Sequence, residues 1–136
     1  MRIIAVDDEF LALEDFEDTC REVGITDEII KFNNPLDALG YVATNKVDIA
    51  FLDIEMPVIK GIELARRIKA INRNIRVIFA TSYGNYALEA FGVDAVDYVM
   101  KPYEPEAIKK AYEKALLVRD AITENKVFIK TFGFFD

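Results

Sequence analysis

Short apolar runs alternate along the chain with stretches in which apolar residues recur every three or four positions. The runs cover residues 2–6, 28–32, 47–52, 76–80 and 96–99, and each predicts a strand. Between them, Leu13, Phe16, Cys20 and Val23 share one helical face, and Gly24 closes that helix. Asn34 reads as an N-cap with Pro35 at the first helical position, and Leu39 and Ala43 carry the inward face of this second helix. Ala65, Ile68 and Ile71 mark a third helix, and residues 86–91 a short fourth. The last helix opens near Pro105 along the stripe Ile108, Ala111, Ala115, Val118 and Ile122, and ends in the polar segment Thr123-Glu124-Asn125-Lys126. Five strands alternating with five helices predict an α/β fold, a doubly wound parallel sheet covered on both faces.

The polar residues of interest stand where the strands end. Ile49-Ala50-Phe51-Leu52 is apolar throughout, as in a strand buried on both faces, yet it delivers Asp53 as it leaves the core. Asp7-Asp8-Glu9 follows the first strand, Thr81-Ser82 the fourth and Lys101-Pro102 the fifth. In such sheets ligands bind beyond the carboxyl ends of the strands, so these groups converge on one edge. Alone, Asp7-Asp8-Glu9 is a solvated helix cap, Asp53 a turn residue, Thr81 a strand residue and Tyr98 a core aromatic. Together, in order, they describe a site. Glu14, Asp15, Glu17 and Asp18 read as a solvated helix face and Cys20 as core.

Composition narrows the chemistry. The chain has 136 residues, long enough for one domain with a substantial core. It is 52% hydrophobic and 30% charged, and no apolar stretch is long enough to span a bilayer. A net charge of -7 argues against this segment gripping nucleic acid. Histidine is absent and cysteine occurs once, which removes a structural zinc site and the commonest general base. The single cysteine fits a cytoplasmic location. A metal here is held by oxygen, favouring Mg²⁺, with Mn²⁺ as an alternative. Crowded carboxylates shift one another's pKa unless a cation relieves them. A carboxylate can also act as a nucleophile and form an acyl phosphate.

"VDDE" at 6–9, "LDIEMP" at 52–57, Gly61, "FATSY" at 79–83 and "DYVMKP" at 97–102, each after a predicted strand, resemble the receiver domain of bacterial two-component response regulators. The resemblance covers residues 1 to about 122, and the wording from residue 80 onward looks most like the LytTR-type and SARP-like regulators. It implies a flavodoxin-like or CheY-like sheet in the order 2-1-3-4-5. It implies that Asp53 is the phosphoacceptor. Asp8, Asp53 and the backbone carbonyl of Glu55 hold Mg²⁺, with Asp7 acting through water. Lys101, Thr81 and Ser82 bind the phosphoryl group. Thr81 and Tyr98 form a switch, and the Lys101–Pro102 bond is cis. Glu55 and Tyr83 tune attack by water. The donor is a sensor histidine kinase. The output is an interface, expected to be homodimeric, on the fourth helix, fifth strand and fifth helix, serving transcription. The protein is then a phosphoprotein and not an enzyme.

Residues 1–122 are thus expected to form the receiver domain, and residues 123–136 a linker and the first strand of a truncated output domain, through which alone DNA would be bound. The tail "KVFIKTFGFFD" carries Phe128, Phe132, Phe134 and Phe135. Such aromatic surface needs cover. The rival reading is a Mg²⁺-dependent aspartyl-phosphate phosphatase of the haloacid-dehalogenase class. That class carries its nucleophile in a D-x-D motif after the first strand. Here the residue two positions after Asp8 is Phe10.

Overall fold

Alternation along the strands separates two apolar layers. Ile4, Val6, Ala50, Leu52, Val77 and Phe79 enter one core, while Ile3, Ala5, Ile49, Phe51, Ile78 and Ala80 enter the other. The structure, a computed structural model, describes residues 1–82 and 92–132, with side chains through residue 118. Its elements are β1 (Arg2–Val6), α1 (Phe10–Glu22), β2 (Glu28–Phe32), α2 (Pro35–Thr44), β3 (Ile49–Asp53), α3 (Gly61–Ile71), β4 (Arg76–Thr81), β5 (Asp97–Met100) and α4 (Pro105–Phe132). All strands are parallel, in the order β2-β1-β3-β4-β5. The order reverses beside β1 and β3, which opens the crevice in which this architecture places ligands.

Ala38, Val42, Leu64, Ala65 and Ile68 of α2 and α3 close the first core. Leu13, Phe16 and Cys20 of α1, with Ile108, Ala111 and Ala115 of α4, close the second. Burying one large aliphatic side chain stabilises by roughly 1.5–3 kcal/mol, so these stripes, rather than helix propensity, hold the helices in place. Asn34 caps α2 by accepting the Leu36 N–H at 2.9 Å, and Gly24 takes a positive φ of 84° just past α1. Cys20 is fully buried, and that burial pushes its thiol up to about 12. Among the described residues, no helix is long and apolar enough to cross a membrane.

Three expectations are corrected or refined. The inward face of α2 is carried by Ala38 and Val42, with Leu39 at the flank and Ala43 exposed. Two apolar i,i+4 pairs lie one residue apart in this helix, and the entry set by Asn34-Pro35 decides between them. Glu14 and Glu17 are not merely solvated, because Lys31 of β2 donates to both. The last helix does not stop at Thr123–Lys126. Its backbone stays helical through Phe132, because nothing from Glu106 to Phe132 is a Gly or Pro and the first breaker is Gly133. The expected fourth helix, residues 86–91, and Tyr83 lie outside the described residues.

Candidate functional site

Strand register brings the polar residues to one level. Val6 pairs with Leu52, so Asp7 and Asp53 emerge side by side. Asp53 pairs with Ala80, and Thr81 with Met100. The Lys101 N–H then donates to the Thr81 carbonyl at 2.8 Å, which sets Lys101 at the same edge. Ala5, Phe51 and Val99 all face the α1/α4 core. Two residues on, Asp7, Asp53 and Lys101 follow the same phase and meet above it.

The meeting is close. Lys101 Nζ donates to Asp7 Oδ2 at 2.9 Å and lies 3.3 Å from Asp53 Oδ1 and 3.8 Å from Glu9 Oε1. Asp7 also accepts the Glu9 N–H on Oδ1 at 3.0 Å, which pins the turn leading into α1. Carboxylate oxygens of Asp7, Asp8 and Asp53 lie within 4.8 Å of one another. Asp7 is 2% and Asp53 4% exposed, while Asp8 opens to solvent.

Two buried carboxylates with one ammonium leave negative charge in excess. Burial, and then the charge of Asp7, push the Asp53 carboxyl up to about 7, against the pull of Lys101. For Lys101, burial opposes the charged form, but the hydrogen bond and charge of Asp7, with Asp53 behind it, outweigh burial and raise its pKa. The donor set is all oxygen, anionic, partly open and short of positive charge, which fits a hard divalent cation.

The loop after β3 explains the spacing from Asp53 to Gly61. The Gly61 N–H donates to the Ile54 carbonyl at 2.9 Å, folding the chain back onto the end of the strand. A Cβ at Gly61 would lie 2.0 Å from the Asp53 carbonyl oxygen, so only glycine admits this approach. Within the loop Val58 has φ +73°, a conformation that β-branched residues rarely adopt. Glu55 is exposed, and its carboxylate pairs with Lys60 at 2.9 Å.

The structure thus brings together Asp7, Asp8, Asp53 and Lys101, with Thr81 buried in the adjoining strand end. The Lys101–Pro102 bond is cis. Ser82 lies exposed at the same edge, and Tyr98, 44% exposed, is turned outward rather than packed into the core. Sequence reading passed over Tyr103, which follows Pro102 and packs its ring edge-on to Phe16 at 5.6 Å. The available signal was an aromatic in a turn otherwise made of Lys, Pro and Glu.

The model of the response regulator receiver domain family matches residues 3–113. The sensory transduction protein LytT of Bacillus subtilis is 33% identical over 126 residues, which is 93% of this chain and 52% of that protein. The transcriptional regulatory protein YpdB of Escherichia coli K12 is 34% identical over 114 residues, 84% of this chain and 47% of that one. The chain therefore spans about half the length of the curated relatives it matches. Among solved structures, the response regulatory domain of protein mrkE from Klebsiella pneumoniae superposes with a TM-score of 0.76 at 34% identity, covering 89% of this chain and 99% of that one. A CheY-like receiver domain from Methanospirillum hungatei, at 22% identity and a TM-score of 0.77, shares the fold.

Proposed function

The chain belongs to the response regulator receiver domain family, and on that footing we propose that it accepts a phosphoryl group on Asp53 from a sensor histidine kinase. The observation that carries this reading is the placement of Asp53. It is a buried carboxylate crowded by a second one and touched by the Lys101 ammonium at the carboxyl edge of the sheet. An Asp53 oxygen attacks phosphorus. The P–N bond of the donor phosphoimidazole breaks as the P–O bond of an acyl phosphate forms, and the departing imidazole takes up a proton from water. The chain acts as the acceptor and not as an enzyme turning over a separate substrate.

Asp8, Asp53 and the Glu55 carbonyl would hold Mg²⁺ or Mn²⁺, with Asp7 acting through water. When bound, the cation supplies positive charge against the phosphoryl oxygens. Phosphorylation adds roughly two negative charges to an already acidic site. Lys101 moves its ion pair from Asp53 to the new phosphoryl oxygens. Thr81 and the Ser82 amide supply further donors, and Tyr98 turns inward as Thr81 is drawn toward the phosphoryl group. That repacking biases the surface that includes β5 and α4 toward a homodimer.

We further propose that residues 1–122 form the receiver and that residues 123–136 lead out of it into an output domain serving transcription, the activity named for YpdB. DNA would be bound only there. The setting is cytoplasmic. The family match gives the phosphatase alternative no support. Incubation with Mg²⁺ and acetyl phosphate tests the reading. The intact mass should rise by one phosphoryl group, lost with hydroxylamine and absent from Asp53→Asn. Equal labelling of that variant would overturn it.

A further inference from the structure

We propose that Tyr103 is a positioning residue for Lys101, acting through an aromatic layer that lies directly beneath the charged one; this rests on the phosphoacceptor reading above. Phe51 stands two residues before Asp53 on β3. Tyr103 stands two residues after Lys101, in the turn between β5 and α4. Phe16 of α1, the helix that Asp7 and Glu9 lead into, lies between them. Its ring centroid is 4.5 Å from Phe51 and 5.6 Å from Tyr103, tilted at 51° and 67°. The segments that carry Asp53 and Lys101, and the helix that follows Asp7, thus each contribute one ring to the layer below.

Lys101 needs such a support. Its backbone is tied to Thr81 by one hydrogen bond, and its turn makes no strand ladder beyond Met100. Its ammonium must nevertheless reach Asp7 and Asp53 together, at 2.9 and 3.3 Å. Tyr103 anchors this turn to α1 and, through Phe16, to the strand that ends in Asp53. Ring pairs of this kind contribute about 0.5–1.5 kcal/mol beyond area burial, enough to select one turn geometry among several. The same placement surrounds the Tyr103 phenol with low-dielectric core and the nearby Asp7 and Asp53, which hold it protonated above the ordinary range. The supporting property is therefore the neutral ring.

The test compares Tyr103→Phe, Tyr103→Leu and Tyr103→Ala, each with and without Lys101→Ala. The first readout is acetylation of Lys101 by a water-soluble amine reagent, followed by peptide mass. It does not depend on phosphoryl chemistry, so it stays informative even if the wild type takes up no phosphate from acetyl phosphate, a result that would count against the function alone. Tyr103→Phe should match wild type, and Tyr103→Ala should label Lys101 about tenfold faster. The second readout is the rate of phosphorylation. Tyr103→Ala should slow it about tenfold with Mg²⁺ affinity nearly unchanged, and should add nothing in the Lys101→Ala background, as coupled residues require. If the alanine variant does not fold, the leucine variant carries the same cycle with the volume filled. Unchanged Lys101 labelling in a folded variant, or additive losses in the cycle, would overturn the proposal.

Discussion

The two ends of the sheet treat charge in opposite ways. At the amino edge, the acids Glu28, Asp48 and Asp27 each have a donor of their own. Arg2 Nε donates to Glu28 at 2.8 Å, and the Arg2 N–H donates to Asp48 Oδ2 at 2.8 Å. The Asp48 N–H in turn donates to the Arg2 carbonyl at 2.9 Å. Nearby, Tyr112 donates to Asp27 at 3.0 Å. At the carboxyl edge, the buried carboxylates of Asp7 and Asp53 share Lys101, with the carboxylate of Asp8 beside them. A fold selected for stability alone would not leave that imbalance, since each uncompensated buried charge costs several kcal/mol. The amino edge is built to close the sheet. The carboxyl edge is left short of positive charge, as a site proposed to hold a divalent cation would be. Local destabilisation at a site is the usual companion of function.

Glycine substitutions should separate the two behaviours most strongly. Gly61→Ala forces a Cβ into the Asp53 carbonyl. It should destabilise by about 3 kcal/mol or more in denaturant titration and slow phosphorylation as well. Gly40→Ala, with nothing within 4 Å of its Cβ and a helical backbone, should stabilise by about 0.5–1 kcal/mol. If the two variants shift the midpoint alike, the close packing under the site is not what requires glycine.

Charge removal should change sign between the edges. Asp53→Asn relieves a desolvated, crowded carboxylate. In metal-free protein above neutral pH it should raise stability by about 2 kcal/mol while abolishing labelling. Asp48→Ala strips the acceptor from the Arg2 N–H and should lower stability by about 1 kcal/mol. A loss of stability in both would mean that the carboxyl edge is as well compensated as the amino edge.

The pH dependence follows from the same imbalance. The Asp53 pKa is raised in the folded chain to about 7 from 3.8, so the folded state holds a proton that the unfolded state releases. The resulting contribution to stability is complete below the unfolded value and is lost as pH rises through about 7. Calorimetry without metal should show the melting temperature falling across this window. Mg²⁺, binding the deprotonated site, should restore it on the alkaline side, and Asp53→Asn should flatten both effects. A small effect is expected in the loop. Val58→Gly removes an L-residue from a left-handed conformation at the expense of unfolded-state entropy, for a net gain of about 1 kcal/mol.

Much of this was legible in the chain. The strand runs are mostly apolar, and the cap Asn34-Pro35 and the terminator Gly24 are local signals that tertiary context does not override. The acids and Lys101 stand directly after strands, so parallel topology alone brings them to one edge. The α2 face was misread because Leu39/Ala43 and Ala38/Val42 have the same spacing. The end of α4 was misread because a polar stretch was taken for a stop, although only Gly133 interrupts helical propensity. Tyr103 escaped notice because its partner, Phe16, is distant in sequence and only the fold joins them. The sharing of Lys101 between Asp7 and Asp53 was out of reach for the same reason.

The carboxyl edge, short of positive charge, is proposed to let Asp53 take a phosphoryl group. Borohydride reduces an acyl phosphate to an alcohol, turning the acceptor aspartate into homoserine at its own position. Protein treated with Mg²⁺ and acetyl phosphate, reduced and digested, should carry homoserine at position 53, with Asp7 and Asp8 intact. Homoserine at position 7 or 8, or an unmodified chain after a confirmed mass gain, would contradict the account.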